Sequence, residues 1–143
     1  MPYRYLDDIA LADVAFEAEA ASPGELLAEA WAATLAVMVD EPASLLPEVE
    51  RRVSLAEDSL DLLLFDFLGR LLYYKDAERL LLRAGRVEVR RGGPGWSVEA
   101  RLEGERIDPA RRALGVDVKA ITLHRLSVTE TPGGWRAVVV LDV

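Results

Sequence analysis

Two aspartates that are far apart in the sequence lie beside segments with the pattern of β-strands. Asp142 follows the apolar run 138–141 and precedes Val143, whose α-carboxylate adds further oxygen donors. Asp13 begins an alternating segment at 13–18. If these strands pair, the two acids meet and provide the oxygen ligands that hard divalent cations prefer. Spacing alone favours two ordinary solvated acids, because an acid beside a strand end is common.

Two further acids and one lysine are candidates of lower rank. Asp7 and Asp8 precede the segment that leads to Asp13, and they are either turn acids, the default interpretation, or additional ligands. Lys119 is one of only two lysines among many arginines. A solvated strand residue is its default interpretation.

The chain offers little material for covalent or acid-base catalysis. His124 is the only histidine, and counting alternately along a strand predicted at 118–130 places it on a mostly apolar face. That position favours a core or core-edge histidine over a catalytic one. The absence of cysteine excludes disulfides, thiolate zinc sites and cysteine nucleophiles. We therefore expect no stand-alone enzyme.

Composition indicates one acidic globular domain, 1–143. The chain has 143 residues, of which 51% are hydrophobic, and a formal net charge of -8. This charge argues against direct nucleic-acid binding, which needs clustered basic residues. The arginines at 86–91 and 111–112 alternate with or adjoin acids and apolar residues, so phosphate binding there is disfavoured. No leader-like or membrane-spanning segment is evident, and a soluble cytoplasmic protein is expected.

Helical periodicity occurs twice. Ser22, Pro23 and Glu25 form a capping-box pattern, and apolar residues then recur with helical spacing until a predicted end near Asp40. A second helix is predicted to begin at Asp58 or Ser59 and to carry a broad apolar surface.

The remaining segments read as strands at 3–6, 13–20, 49–55, 87–89, 96–102, 118–130 and 135–141. Glycine-rich turns at 92–95 and 131–134 predict two hairpins. Asp108 and Pro109 predict a short helix that ends at Gly115. The predicted fold is a single α+β domain with two long helices packed on antiparallel sheet.

These residues, taken in order, resemble the archease family, small acidic proteins that assist the RtcB-type tRNA-splicing RNA ligase. The likeness covers nearly the whole chain and lies in the segments 3–7 with 12–14, 37–40, 61–63, 67–68, 71–73, 118–122 with His124, and 141–143. No single segment is decisive, but the ordered set and the ending are quite specific.

The resemblance implies an SHS2-type α+β domain with a divalent metal, calcium, held by Asp13, Asp142 and Val143. It implies an accessory protein, not an enzyme, which promotes guanylate transfer from GTP to the ligase's active-site histidine and repeated turnover in tRNA splicing. The partner is then the ligase, which handles the RNA itself. Lys119 matches a Val-Lys-Ala motif of the family, which raises it above a solvated residue.

One departure from the family pattern keeps an alternative open. Relatives read Asp-His-Thr-Ala-Asp-Val, whereas this chain has Asp8-Ile9-Ala10-Leu11-Ala12-Asp13-Val14, so the histidine and threonine are missing and the acids are one residue further apart. Asp7 and Asp8 are equal candidates for the first acid. The alternative is a divergent metal-binding or protein-interaction module of the same fold without a ligase-activating role.

Overall fold

A computed structural model describes residues 2–6 and 13–143 of the chain. Their order is β1 (Tyr3–Leu6), β2 (Asp13–Ala20), α1 (Pro23–Met38), β3 (Val49–Glu57), α2 (Leu60–Glu78), β4 (Leu80–Gly92), β5 (Gly95–Arg106), β6 (Ala120–Ile121), β7 (Ser127–Thr131) and β8 (Gly134–Asp142), with a short 3-10 turn at Pro42–Ser44. The predicted α+β class is confirmed, and every strand pairing is antiparallel.

The first sheet is built around β8. One edge of β8 pairs with β2, which in turn pairs with β1. The other edge pairs with β7 along its first half and with β6 at its end. Side chains alternate across a sheet, so Val14 and Leu141 face the helices, whereas their neighbours Asp13 and Asp142 face the opposite side. Asp142 is the last residue of β8, the central strand of this sheet.

The second sheet has the order β3-β5-β4 and contains the first predicted hairpin. Gly93 adopts φ +58 in the turn between β4 and β5, a conformation that favours glycine. A bulge between Ala84 and Arg86 shifts the register of β4. After this bulge Val89 lies opposite buried Val98, and Arg90 and Arg91, which follow Val89, are exposed.

Both helices begin as the sequence predicts. The Ser22 hydroxyl accepts a hydrogen bond from the Glu25 N–H (3.3 Å), which caps α1. Ser59 precedes α2, and Arg79, in a left-handed conformation, ends it. The helices share one core with both sheets, where Trp31 of α1 packs on Phe67 of α2 at a ring-centroid distance of 4.9 Å. This core supports the strands from one side.

Two predicted elements are wrong. The strand expected at 118–130 is divided into β6 and β7 by a turn in which Arg125 takes φ +57 and the Leu126 N–H donates to the Leu123 carbonyl (3.2 Å). The helix expected after Asp108 is a single turn, since only the Arg111 and Arg112 N–H groups donate to the Asp108 carbonyl (3.0 and 3.1 Å).

Candidate metal site

Asp13 and Asp142 are directly opposite one another in the β2-β8 ladder. Residues paired in this way have Cβ atoms about 5 Å apart and project from the same face of the sheet. Asp142 is exposed and Asp13 half-buried. Two carboxylates this close repel one another in the absence of a cation. We call Asp13, Asp142 and Val143 the carboxylate corner.

Apolar residues border the carboxylate corner along both strands. Ala15 and Val140 form the next pair on the same face of the sheet, and both are buried. This side of the aspartate pair is therefore apolar, and its side chains offer no further metal ligand. The exposed side of Asp142 leaves an approach for an ion or a partner protein.

The segment at the start of β6 binds Asp142 on the edge of β8 that faces away from β2. Ala120 pairs with Asp142, and the Lys119 N–H donates to the Asp142 carbonyl (2.8 Å). That carbonyl is therefore already engaged by the backbone. The Lys119 side chain is exposed, and its described link to the carboxylate corner runs through its backbone. The structure thus brings Lys119 to the corner without giving its ammonium a role.

The donor set fits a hard divalent cation but is incomplete by itself. Val143 packs on the hydrophobic core, which holds its backbone beside Asp142. All available donors are oxygens, as calcium prefers, but calcium takes about six to eight of them. Within 2–6 and 13–143, no three His, Asp or Glu side chains cluster to hold a metal. Further ligands would have to come from backbone, water, the remaining residues or a partner.

The other sequence-based candidates have different outcomes. Asp7 and Asp8 lie outside the described residues, so the prediction for them stays a prediction. His124 is exposed in the turn between β6 and β7, so its assignment to the core or core edge is wrong. The left-handed Arg125 breaks the strand at this point, and the alternation on which the assignment rested does not continue.

A buried lysine of α2, which binds the segment that leads into β6, is the main feature that sequence reasoning missed. Lys75 of α2 has only 7% of its side chain exposed, and its Nζ donates to Asp117 Oδ1 (2.6 Å) and to the Val118 carbonyl (3.0 Å). Asp76 Oδ1 is 2.8 Å away. Burial alone would lower the pKa of Lys75, but the hydrogen bonds to Asp117 and Asp76 hold that pKa above its ordinary value. The signal in the sequence was a lysine four residues after Leu71, on the apolar stripe of α2.

The described molecule is thus an α+β protein with two antiparallel sheets and a pair of aspartates, one exposed and one half-buried, where the central strand β8 ends beside β2. Within the described residues, neither α1 nor α2 combines the length and hydropathy of a membrane-spanning helix.

Comparisons with known proteins agree in sequence and in fold. A sequence model of the Archease protein family (MTH1598/TM1083) matches residues 3–143. The chain is 34% identical to Protein archease of Methanosarcina mazei over 143 residues, covering 99% of this chain and 95% of the relative. It is 33% identical to Protein archease of Archaeoglobus fulgidus, with complete coverage of both chains. The solution structure of Methanobacterium thermoautotrophicum Protein 1598 superposes with a TM-score of 0.85, at 26% identity, over 99% of each chain. The chain belongs to the archease family.

Proposed function

We propose that this protein is an accessory activator of an RtcB-type tRNA-splicing RNA ligase. It works in the cytoplasm and carries a divalent metal, with calcium as the expected ion, at the carboxylate corner. The proposal rests on family membership, and the single structural observation that supports it is the direct pairing of Asp13 with Asp142. The protein is proposed to act as a cofactor of the ligase and not as a catalyst.

The net charge of this protein indicates that the ligase is the partner that binds the RNA. With a net charge of -8, the protein lacks the basic character needed to hold RNA through its phosphates. The ligase therefore handles the RNA ends and receives guanylate from GTP on its own histidine. The part proposed for this chain is to promote that guanylate transfer and to return the ligase to repeated turnover.

The carboxylate corner would hold the metal through Asp13, Asp142 and Val143. A bound divalent cation would neutralise the paired carboxylates and offer open coordination positions toward the partner. The core contact of Val143 and the backbone hydrogen bond from Lys119 keep the donors in place. Exposure of Asp142 permits a partner to approach.

A turnover assay tests the proposal. A cognate ligase is incubated with GTP and RNA ends, with and without this protein, and ligated products per ligase molecule are counted. We expect multiple turnovers with the wild-type chain and loss of stimulation with Asp142→Ala. Glu130→Gln, which removes an exposed acid elsewhere on the same sheet, is the matched control. Absence of stimulation, or full stimulation by Asp142→Ala, contradicts the proposal.

The second candidate, a metal-binding or protein-interaction module that does not activate a ligase, is favoured by the altered sequence between Asp8 and Asp13. Thermal unfolding with calcium and with chelator separates the two. A metal that binds only the folded state raises the melting temperature. Stabilisation by calcium without any response from a ligase would support this second function.

A further inference from the structure

Residues 115–119 connect the carboxylate corner to both helices through consecutive backbone and side-chain bonds. The Gly115 and Val116 N–H groups donate to carbonyls of α1, at Met38 (2.8 Å) and Val37 (3.0 Å). Lys75 of α2 then binds the next two residues, through the Asp117 carboxylate and the Val118 carbonyl. One residue further on, the backbone binds Asp142. We call 115–119 the strap.

Lys75 provides the only charged contact among these bonds within the described residues. Its position on α2 is firm, because Leu71, Leu72 and Tyr74 around it are buried in the core. The strap has no helix of its own, and β6, which follows it, has only two residues. Such a short strand depends on its neighbours to keep its register.

We propose that Lys75 is a positioning residue for the carboxylate corner. Its ammonium fixes Asp117 and Val118, which fixes the Lys119 N–H against the Asp142 carbonyl and so fixes the backbone that carries the Asp142 carboxylate. Lys75 acts through the strap and does not touch the metal. The part of this inference that concerns metal binding rests on the proposed function, because both concern the carboxylate corner.

Removal of the ammonium has a defined effect. A cavity of about 300 Å³ borders Lys75 and Asp117. In Lys75→Met the apolar stem remains, but the buried Val118 carbonyl loses its donor and Asp117 loses its ion-pair partner. Water from the cavity can solvate these groups without holding them to α2. We expect the strap to open locally more often than the rest of the fold.

The experiment has two readouts, amide hydrogen exchange of Lys119 in calcium-free protein and calcium affinity by calorimetry. In Lys75→Met we expect exchange at Lys119 to be about tenfold faster and calcium binding about tenfold weaker, as the loss of one charge-assisted hydrogen bond implies. Lys75→Arg, which retains the charge and the donors, should restore much of both. Asp117→Asn, at an exposed carboxylate, should change both in the same direction by a smaller factor, and it serves if Lys75→Met does not fold.

Glu105→Gln is the matched control, because Glu105 is also buried and ion-paired, but its partners Leu46 and Arg112 lie outside residues 115–119. Glu105→Gln should lower the free energy of global unfolding without selectively accelerating amide exchange at Lys119. Equal effects of the two substitutions on Lys119 exchange, or no effect of Lys75→Met, would overturn the inference. If wild-type protein binds no calcium, the proposed metal is lost, whereas exchange at Lys119 still decides the role of Lys75.

Discussion

Individual charges in this protein have roles that depend on the partner each one meets. Asp13 and Asp142 meet one another, so in metal-free protein each carries the repulsion of a like charge. Glu105, by contrast, is almost completely buried but meets Arg112 and a backbone N–H. Neutralising Asp142 should therefore stabilise the metal-free protein, whereas neutralising Glu105 should destabilise it.

Neutralising Asp142 should change the stability of the protein in opposite directions without and with calcium. In chelator, Asp142→Asn removes the repulsion of Asp13, and we expect the free energy of unfolding to rise by about 0.5 kcal/mol. With calcium in excess, the wild type gains stability and the variant does not, so the order of the two proteins inverts. Thermal unfolding in chelator and in calcium measures both effects. Glu130→Gln should show no inversion, and a variant that keeps the calcium-induced shift would contradict the assignment of Asp142.

Glu105 should contribute stability that depends on pH. Burial alone would raise the pKa of Glu105, but hydrogen bonds from Arg112 and the Leu46 N–H outweigh it, so the pKa lies below its ordinary value. A lowered folded-state pKa means that the contribution is complete at neutral pH and is lost as pH falls through that pKa. We expect Glu105→Gln to cost about 2 kcal/mol at pH 7. Urea unfolding should show this difference shrinking below about pH 4.

Secondary-structure elements followed the sequence wherever pattern and local chemistry agreed. The strand at 13–20 and the start of α1 were predictable because alternation and the Ser22 cap are local signals. The division between β6 and β7 was not, because it depends on Arg125 adopting a left-handed backbone that favours glycine. The single turn after Asp108 ends where Arg112 binds buried Glu105, a contact that periodicity does not encode.

The residues of the candidate site were likewise predictable only where a local pattern or the family resemblance indicated them. Strand endings and family resemblance indicated Asp13 and Asp142, and their register in the β2-β8 ladder agrees with the expected meeting. Their metal-binding role stays a prediction. Lys75 was missed because burial of a lysine depends on a tertiary partner, here Asp117, from a segment with no regular pattern.

Two glycines should respond to alanine with opposite signs. At Gly104 in the middle of the second sheet, a Cβ would overlap the Leu81 carbonyl of the neighbouring strand, and we expect Gly104→Ala to cost about 3 kcal/mol. At Gly69 inside α2, a Cβ meets no atom within 4 Å, so Gly69→Ala should stabilise by about 0.5–1 kcal/mol through helix propensity. Urea denaturation of both variants measures the contrast. Destabilisation by Gly69→Ala would indicate tighter packing around α2 than the structure has.

The molecule as a whole has one core shared by its two sheets. Phe16 and Val139 of the first sheet belong to the same cluster as Val98 and Leu102 of the second, with α1 and α2 between them. Neither sheet buries its apolar face without the helices. Residues 1–143 should therefore behave as one cooperative unit.

Equilibrium unfolding should accordingly show a single transition. Tryptophan fluorescence reports on Trp31 in the core, whose Nε1 donates to the Leu82 carbonyl (2.8 Å), and on Trp96 and Trp135 in the two sheets. Far-UV circular dichroism reports on helices and sheets together. In urea we expect the two signals to have coincident midpoints. Separate midpoints would show that the sheets unfold independently and would contradict the single-domain prediction.

The central place of β8 in the first sheet has a consequence for how the chain acquires its structure. β8 follows every other described strand in sequence, yet it joins β2, near the other end of the chain, to β6 and β7. Such non-local pairing slows folding, because a long loop must close before the contacts form. During synthesis, the edge of β2 that faces β8 has no strand partner until β8 emerges, and an open edge invites pairing with other chains. Refolding yield should therefore fall with protein concentration, even though both edges of β8 are paired in the finished sheet.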